Sequence, residues 1–186
     1  MDETTQHLSL SELEAALPSI RQSPADEGSL RQIACRPTTG ERRSLEEAEL
    51  DVAQGLVGDN WQSRGSRHTD NGSSHPDMQL TLMNARVIQK IAGSVERWAL
   101  AGDQLFVEFD LSRANLPPGS CLAIGNSVIE ITPSPHTGCR KFVDRFGLDA
   151  MKFVSSSIGR ELNLRGVNAR VVVPGAIRVG DIVRRQ

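Results

Sequence analysis

The chain of 186 residues has no tyrosine, few aromatic side chains (4%) and only three cysteines. With so few aromatics, Val, Ile and Leu must supply most of any core that the 38% hydrophobic content builds. The cysteines, Cys35, Cys121 and Cys139, are widely and unequally spaced, which excludes a disulfide framework. No apolar run approaches the ~20 residues of a membrane-spanning helix. The first six residues, Met1 to Gln6, lack the basic and apolar regions of a secretory signal. A soluble cytoplasmic protein with no membrane partner is expected. GxGxxG, Walker A and GxSxG patterns are all missing, so nucleotide hydrolysis and Ser-triad chemistry have no support. CxxC and HExxH are missing too. A zinc shell of His136 and Cys139 with His68 or His75 has the donors without the usual close spacing.

What is present is unevenly distributed. The net charge of −2 conceals 18 acidic and 10 basic side chains in residues 1–110, against 5 acidic and 11 basic in residues 111–186. A positive C-terminal part predicts a small anionic ligand such as a phosphate, or else arginines on exposed strand faces. Nucleic acid is not expected, since the sequence pI is near 6.1 and no aromatic-basic stripe occurs.

Short strands with turn chemistry between them dominate the chain. Leu8 to Leu17 carries the only helical pattern in residues 1–30, with Ser9 or Ser11 as cap and Pro18 as its end. Leu30 to Cys35 reads as a first strand. Gly55-Leu-Val-Gly-Asp59 then predicts a tight turn. Residues 62–77 form a polar stretch long enough to be either functional or disordered. Met78 to Leu82 alternates like a strand, and Asn84 caps a helix with Val87, Ile88, Ile91 and Ala92 at helical spacing before Gly93. Leu105, Val107, Phe109 and Leu111 alternate with Glu108 and Asp110, the pattern of a half-buried strand. Gly125-Asn126 between two apolar runs predicts a two-residue hairpin. Phe142, Phe146, Ala150 and Phe153 make a helical face that Gly147 interrupts. Residues 168–173 and 177–183, joined by Pro174-Gly175, read as another antiparallel pair. The expected fold is mainly β with helical insertions, a closed or nearly closed β-barrel. An N-terminal arm of residues 1–29 precedes a domain of residues 30–186.

Within Thr132 to Lys141, a strand-like stretch ends in a double-proline turn, and Gly138 delivers Cys139 to the start of a helix. The positive end of the helix dipole and the charges of Arg140 and Lys141 favour the thiolate there. That form attacks, carries sulfur or binds a soft metal. The alternative is a thiol packed as a small hydrophobe, although none of its neighbours is a core residue. Cys35 and Cys121 lie in apolar strands and are expected in the core. Asp144, Asp149 and Glu161 read as solvated helix residues.

Four segments resemble, in order, the motifs of the MOSC domain, named for the C-terminal part of molybdenum-cofactor sulfurase. They are Gly55-Leu-Val-Gly-Asp59, His75-Pro-Asp-Met-Gln-Leu-Thr-Leu82, the run from Ile124 to Thr132 leading into Gly138-Cys-Arg-Lys141, and Asn168 to Val173 with Ile177 to Asp181. Together they cover about residues 30–185, and the ordered set is far more specific than any single piece. The resemblance implies a MOSC-type barrel of the pyruvate-kinase barrel kind, with Cys139 as its catalytic cysteine. In members that bind molybdenum cofactor this cysteine coordinates the metal; in others it is proposed to hold a persulfide. The resemblance further implies an anionic pterin (molybdopterin) near Gly58, Asp59, His75, Asp77, His136, Arg140, Lys141, Asn168 and Arg170.

Three functions follow as expectations. One is a molybdenum-dependent reductase of N-hydroxylated compounds, supplied by a separate electron-transfer protein. Another is a sulfur transferase or carrier for metal–sulfur cofactor assembly, charged by a separate cysteine desulfurase because the chain has no room for a pyridoxal-phosphate domain. The third is a non-catalytic binding module. Ser73-Ser-His-Pro-Asp77 stands where the family commonly has His-Gly-Gly-Pro-Asp, so ligand contacts of this loop are expected to differ.

Overall fold

The computed structural model describes residues 7–186. The arm holds two short helices, α1 (Leu10–Glu14) and α2 (Leu17–Ile20), before strand β1 (Glu27–Cys35). Ser9 caps α1 through a reciprocal box with Glu12, as expected, but Pro18 sits in the first turn of α2 rather than ending a helix. Next come β2 (Arg43–Leu45), β3 (Glu47–Asp51), β4 (Gly55–Leu56), α3 (Trp61–Arg64), a 3-10 turn (Pro76–Met78), β5 (Leu80–Asn84) and α4 (Ala85–Ala92). A 3-10 helix (Val95–Ala101) precedes β6 (Leu105–Glu108), β7 (Cys121–Ile124) and β8 (Ser127–Ile131). The chain closes with α5 (Arg140–Ser155), α6 (Ser157–Glu161), β9 (Val167–Val173), β10 (Gly175–Arg178) and β11 (Ile182–Arg185).

Seven strands form a closed barrel in the order β11-β7-β8-β9-β5-β6-β1, with β1 returning to pair with β11; β2 adds to β1. Closure removes the unpaired edges that an open sheet would expose. All barrel pairs are antiparallel except β5 with β6, where α4 and the 3-10 helix make the crossover that a parallel pair requires. The mainly β barrel predicted from the sequence is therefore what the chain forms. A small separate sheet has the order β10-β3-β4. That arrangement corrects the expected pairing of residues 168–173 with 177–183: β9 lies between β8 and β5, β10 pairs with β3, and β11 pairs with β7 and β1.

Strand alternation builds two cores. Leu30, Leu82, Leu105, Val107, Leu122, Ile129 and Ala169 fill the barrel. On the outer face of β1, β5 and β6, Ala34, Met83 and Phe106 pack instead against Val87, Ile88, Trp98, Phe142, Phe146 and Phe153 of the helical layer. Most of the scarce aromatics are in this second core, where Trp98 lies 5.7 Å from Phe106 and Phe142 lies 5.0 Å from Phe146. Leu13 and Ile20 of the arm belong to it as well. Asn84 caps α4 by accepting from the Arg86 and Val87 amides. Gly147 breaks α5 with φ 87°, a conformation that side chains other than glycine avoid.

Strand register fixes which loops share a barrel end. Ile33 lies opposite Leu105, Leu82 beside Leu105, Leu80 opposite Ala169, and Ala169 opposite Ile131. By that register the segments after β1 and into β5 and β6 share one barrel end, the segments after β8 and into β9 share the other, and the Arg165 side chain spans between them to Asp103.

Candidate functional site

Cys139 is the N-cap residue of α5, with extended backbone angles (φ −127°, ψ 171°). Its carbonyl accepts from the Phe142 and Val143 amides, so it belongs to the helix through its backbone while its side chain makes no capping bond. The thiol is exposed, unlike buried Cys35 and half-buried Cys121. The core placement expected for Cys121 is therefore only partly met. Its strand pairs β8 on one side and β11 on the other, but Cys121 is the strand's first residue at the barrel end. Arg140 and Lys141 are also exposed, in the first turn of α5. Phe142 anchors this turn in the second core and carries the Arg165 guanidinium 5.0 Å above its ring.

A layer of buried charge joins these loops. Arg36 holds Asp59 in a forked pair, Nε to Oδ2 at 2.9 Å and Nη2 to Oδ1 at 3.0 Å. The Arg36 amide also donates to Oδ2 and the Trp61 amide to Oδ1. The Asp59 side chain is fully buried, so every direction of its carboxylate serves the Gly58-Asp59 turn and none faces a ligand. The Gly58 carbonyl accepts from the Cys35 thiol at 3.1 Å. Burial raises that thiol above its ordinary range, and the Asp59 charge adds to the effect.

A second buried carboxylate, Asp103, accepts from Arg165 Nη1 at 2.8 Å and lies 3.4 Å from His136 Nδ1. Neither Asp103 Oδ1 nor His136 Nδ1 completes a hydrogen bond. Burial, reinforced by the Arg165 charge, pushes His136 down to about 3 against the opposing pull of Asp103. His136 is neutral near pH 7, and its contact with Asp103 is not an ion pair. Half-buried Arg42 and Arg145 adjoin this layer. Arg42 has a buried Nε without a partner, and Arg145 donates to the Leu100 carbonyl. Burial and then the Arg145 and Arg36 charges lower Arg42. Like charges are crowded here beyond what the carboxylates offset.

The remaining predicted residues form a neighbouring group. His75 Nδ1 accepts from the Asp77 amide at 3.2 Å, the Asp77 carbonyl accepts from the Thr132 hydroxyl, and Arg170 bridges Asp77 (3.6 Å) and Glu130 (2.8 Å). Buried Asn168 donates to the Ser134 carbonyl at 3.1 Å, leaving its Oδ1 without a partner. His136 and Asn168 line one cavity of about 180 Å³. His68 and His75 line another, of about 550 Å³, with Trp61, Arg64, Arg67 and Met78. Among the described residues, no group of three or more His, Cys, Asp or Glu side chains could hold a metal ion. The zinc shell imagined from His136, Cys139, His68 and His75 is not assembled. No helix among the described residues is long and apolar enough to cross a membrane.

Arg36, Arg42, Asp103, Arg145 and Arg165 do not stand out in the sequence. Their partners are 23 to 62 residues away for the two buried ion pairs, and no local spacing marks them. The surplus of arginine was the one available signal.

No protein-family model and no curated protein matches the chain. Solved structures do match in fold. YuaD protein from Bacillus subtilis has a TM-score of 0.63 at 13% identity, covering 86% of this chain and 95% of that one. YiiM from Escherichia coli has a TM-score of 0.54 at 18% identity, covering 85% and 69%. YiiM from Geobacillus stearothermophilus has a TM-score of 0.52 at 11% identity, covering 86% and 73%. At such identities the likeness establishes a shared fold.

Proposed function

We propose that this chain is a MOSC-type domain that binds molybdenum cofactor beside the start of α5, with Cys139 as the thiolate ligand. The observation that carries the reading is the exposed Cys139 side chain, unused by its own helix and three residues before Phe142, whose ring carries the Arg165 guanidinium. The residues around it fit an anionic pterin with a soft metal. Cys139 is a soft donor. Arg42 Nε, Arg165 Nε and Asn168 Oδ1 are buried polar atoms without partners, and the crowded guanidiniums favour an anion. When bound, the cofactor would supply two-electron redox chemistry, consistent with a reductase of N-hydroxylated compounds. Arg140, Lys141 and the arginine layer would hold its phosphate, and Asn168 would orient its ring edge. Asp59 supports this from behind by keeping Arg36 in place.

The test is molybdenum and pterin analysis of protein purified from a molybdenum-replete host. Wild type retains both, and Cys139→Ala loses molybdenum. Wild type carrying neither would overturn the reading.

The exposure of Cys139 also favours a second reading, a sulfur carrier. Incubation with a cysteine desulfurase and cysteine then adds one sulfur atom at Cys139, mapped by mass spectrometry. An unmodified Cys139 rejects it.

A further inference from the structure

Between α3 and the Pro76–Met78 turn, the loop closes on itself. The Ser66 amide donates to the Gly72 carbonyl, and the Gly72 amide to the Thr69 carbonyl. The Thr69 hydroxyl reaches the Ser66 and Ser73 carbonyls. Gly65 (φ 68°) permits the closure, because a Cβ there would stand 2.3 Å from the Gly72 carbonyl oxygen. The loop borders an open cleft of about 550 Å³, with buried Trp61 among its lining residues.

The chemistry of that lining is one-sided. Arg64 and Arg67 present guanidiniums, and no carboxylate lines the cavity. The carboxylate acting on Arg64, Asp59, is already taken by Arg36. Arg64 and Arg67 both reach solvent, and partial desolvation by its neighbours together with the Arg36 charge holds Arg64 below its ordinary value. Because His75 Nδ1 accepts from the Asp77 amide, its Nε2 is left as the ring's N–H donor. Asp77 itself faces Arg170, and Asp70 is exposed outside the lining.

We propose that this loop cavity is an oxyanion site, taking a phosphate-class group held by Arg64, Arg67 and the His75 Nε2–H. The group is either free phosphate or the end of a phosphomonoester. This site uses neither Cys139 nor the arginines proposed to hold the pterin phosphate, and it shares only His75 with the residues the resemblance assigns to the pterin.

Calorimetric titration of inorganic phosphate and of glycerol 3-phosphate, at constant ionic strength, tests it on full-length protein stripped of metal and pterin. Saturable binding is expected. Arg64→Gln and Arg67→Gln each weaken it about tenfold or more, the loss of one charge-assisted hydrogen bond. Cys139→Ala leaves it unchanged. Comparable affinity for both ligands identifies the phosphate group as sufficient, and a marked preference for the ester identifies an organic phosphate. Chemical protection needs no variant: phosphate should slow phenylglyoxal modification of Arg64 and Arg67 but not of exposed Arg31 or Arg160. No saturable binding of either ligand, binding that survives both substitutions, or unprotected Arg64 and Arg67 overturns the proposal.

Discussion

Arg36 and Arg165 donate to adjacent carbonyls: Arg36 Nη1 to Gly102 and Arg165 Nη2 to Ala101, each at 3.0 Å. Each arginine also holds its own buried carboxylate, Asp59 or Asp103. The end of the 3-10 helix is thus the point where the Gly58-Asp59 turn and the His136 segment meet. Its outward carbonyls supply the partial negative charge that lets two guanidiniums sit close together.

Removing the Asp59 charge should uncover the cost of this arrangement. Asp59→Asn leaves Arg36 buried without a counter-charge, and denaturant unfolding should show a loss of about 3–5 kcal/mol. Arg36→Met with Asp59→Leu should lose less than the two single changes added together. Additive losses would mean that the pair is not coupled as described.

Acid should destabilise the protein through His136. The folded ring stays neutral down to about 3, whereas an unfolded imidazole binds its proton near 6.5. The unfolded state therefore takes up more protons in that window, so stability is complete above it and falls as pH drops from about 6.5 toward 3. Unfolding midpoints measured across this range should flatten in His136→Gln relative to wild type. Parallel pH curves for both proteins would refute the assignment.

Thiol reactivity should rank by exposure. Iodoacetamide should modify Cys139 first, half-buried Cys121 more slowly and Cys35 only on unfolding, because Cys35 is buried and bonded to the Gly58 carbonyl. Peptide mapping over time gives the order. Cys139→Ala should change stability by less than about 0.5 kcal/mol, since the side chain supports nothing in the fold.

Gly147→Ala should cost about 1–3 kcal/mol, because φ 87° with ψ 166° is a conformation only glycine adopts freely. The new Cβ would also stand 2.7 Å from the His7 ring, but that side chain can move and the backbone strain cannot. Thermal unfolding checks the size of the loss. A neutral substitution would mean that α5 straightens without penalty.

Local signals carried a good part of the fold. Asn84 before α4, the Gly125-Asn126 turn and Gly147 in the Phe142–Phe153 face were all legible, because caps, turns and periodicities act over a few residues; the half-buried strand read from Leu105 to Leu111 instead ends at Glu108 and buries Phe106 on its other face as well. The strands β2 and β3 were not, since the acidic, exposed pattern of residues 43–51 shows no buried face apart from Leu50. Cys139 at a helix start could be read for the same local reason as the turns. The length of the sequence between partners hid the rest.

By itself, the sequence determined a barrel of short strands and a thiol delivered to the start of a helix, both written in neighbouring residues. Tertiary structure alone decided that β9 lies between β8 and β5, that Asp59 is consumed by Arg36, and that Asp103 lies between Arg165 and His136. The reason is physical. Barrel closure and buried ion pairs join residues far apart in the chain, and their energy depends on burial and distance that no local pattern records.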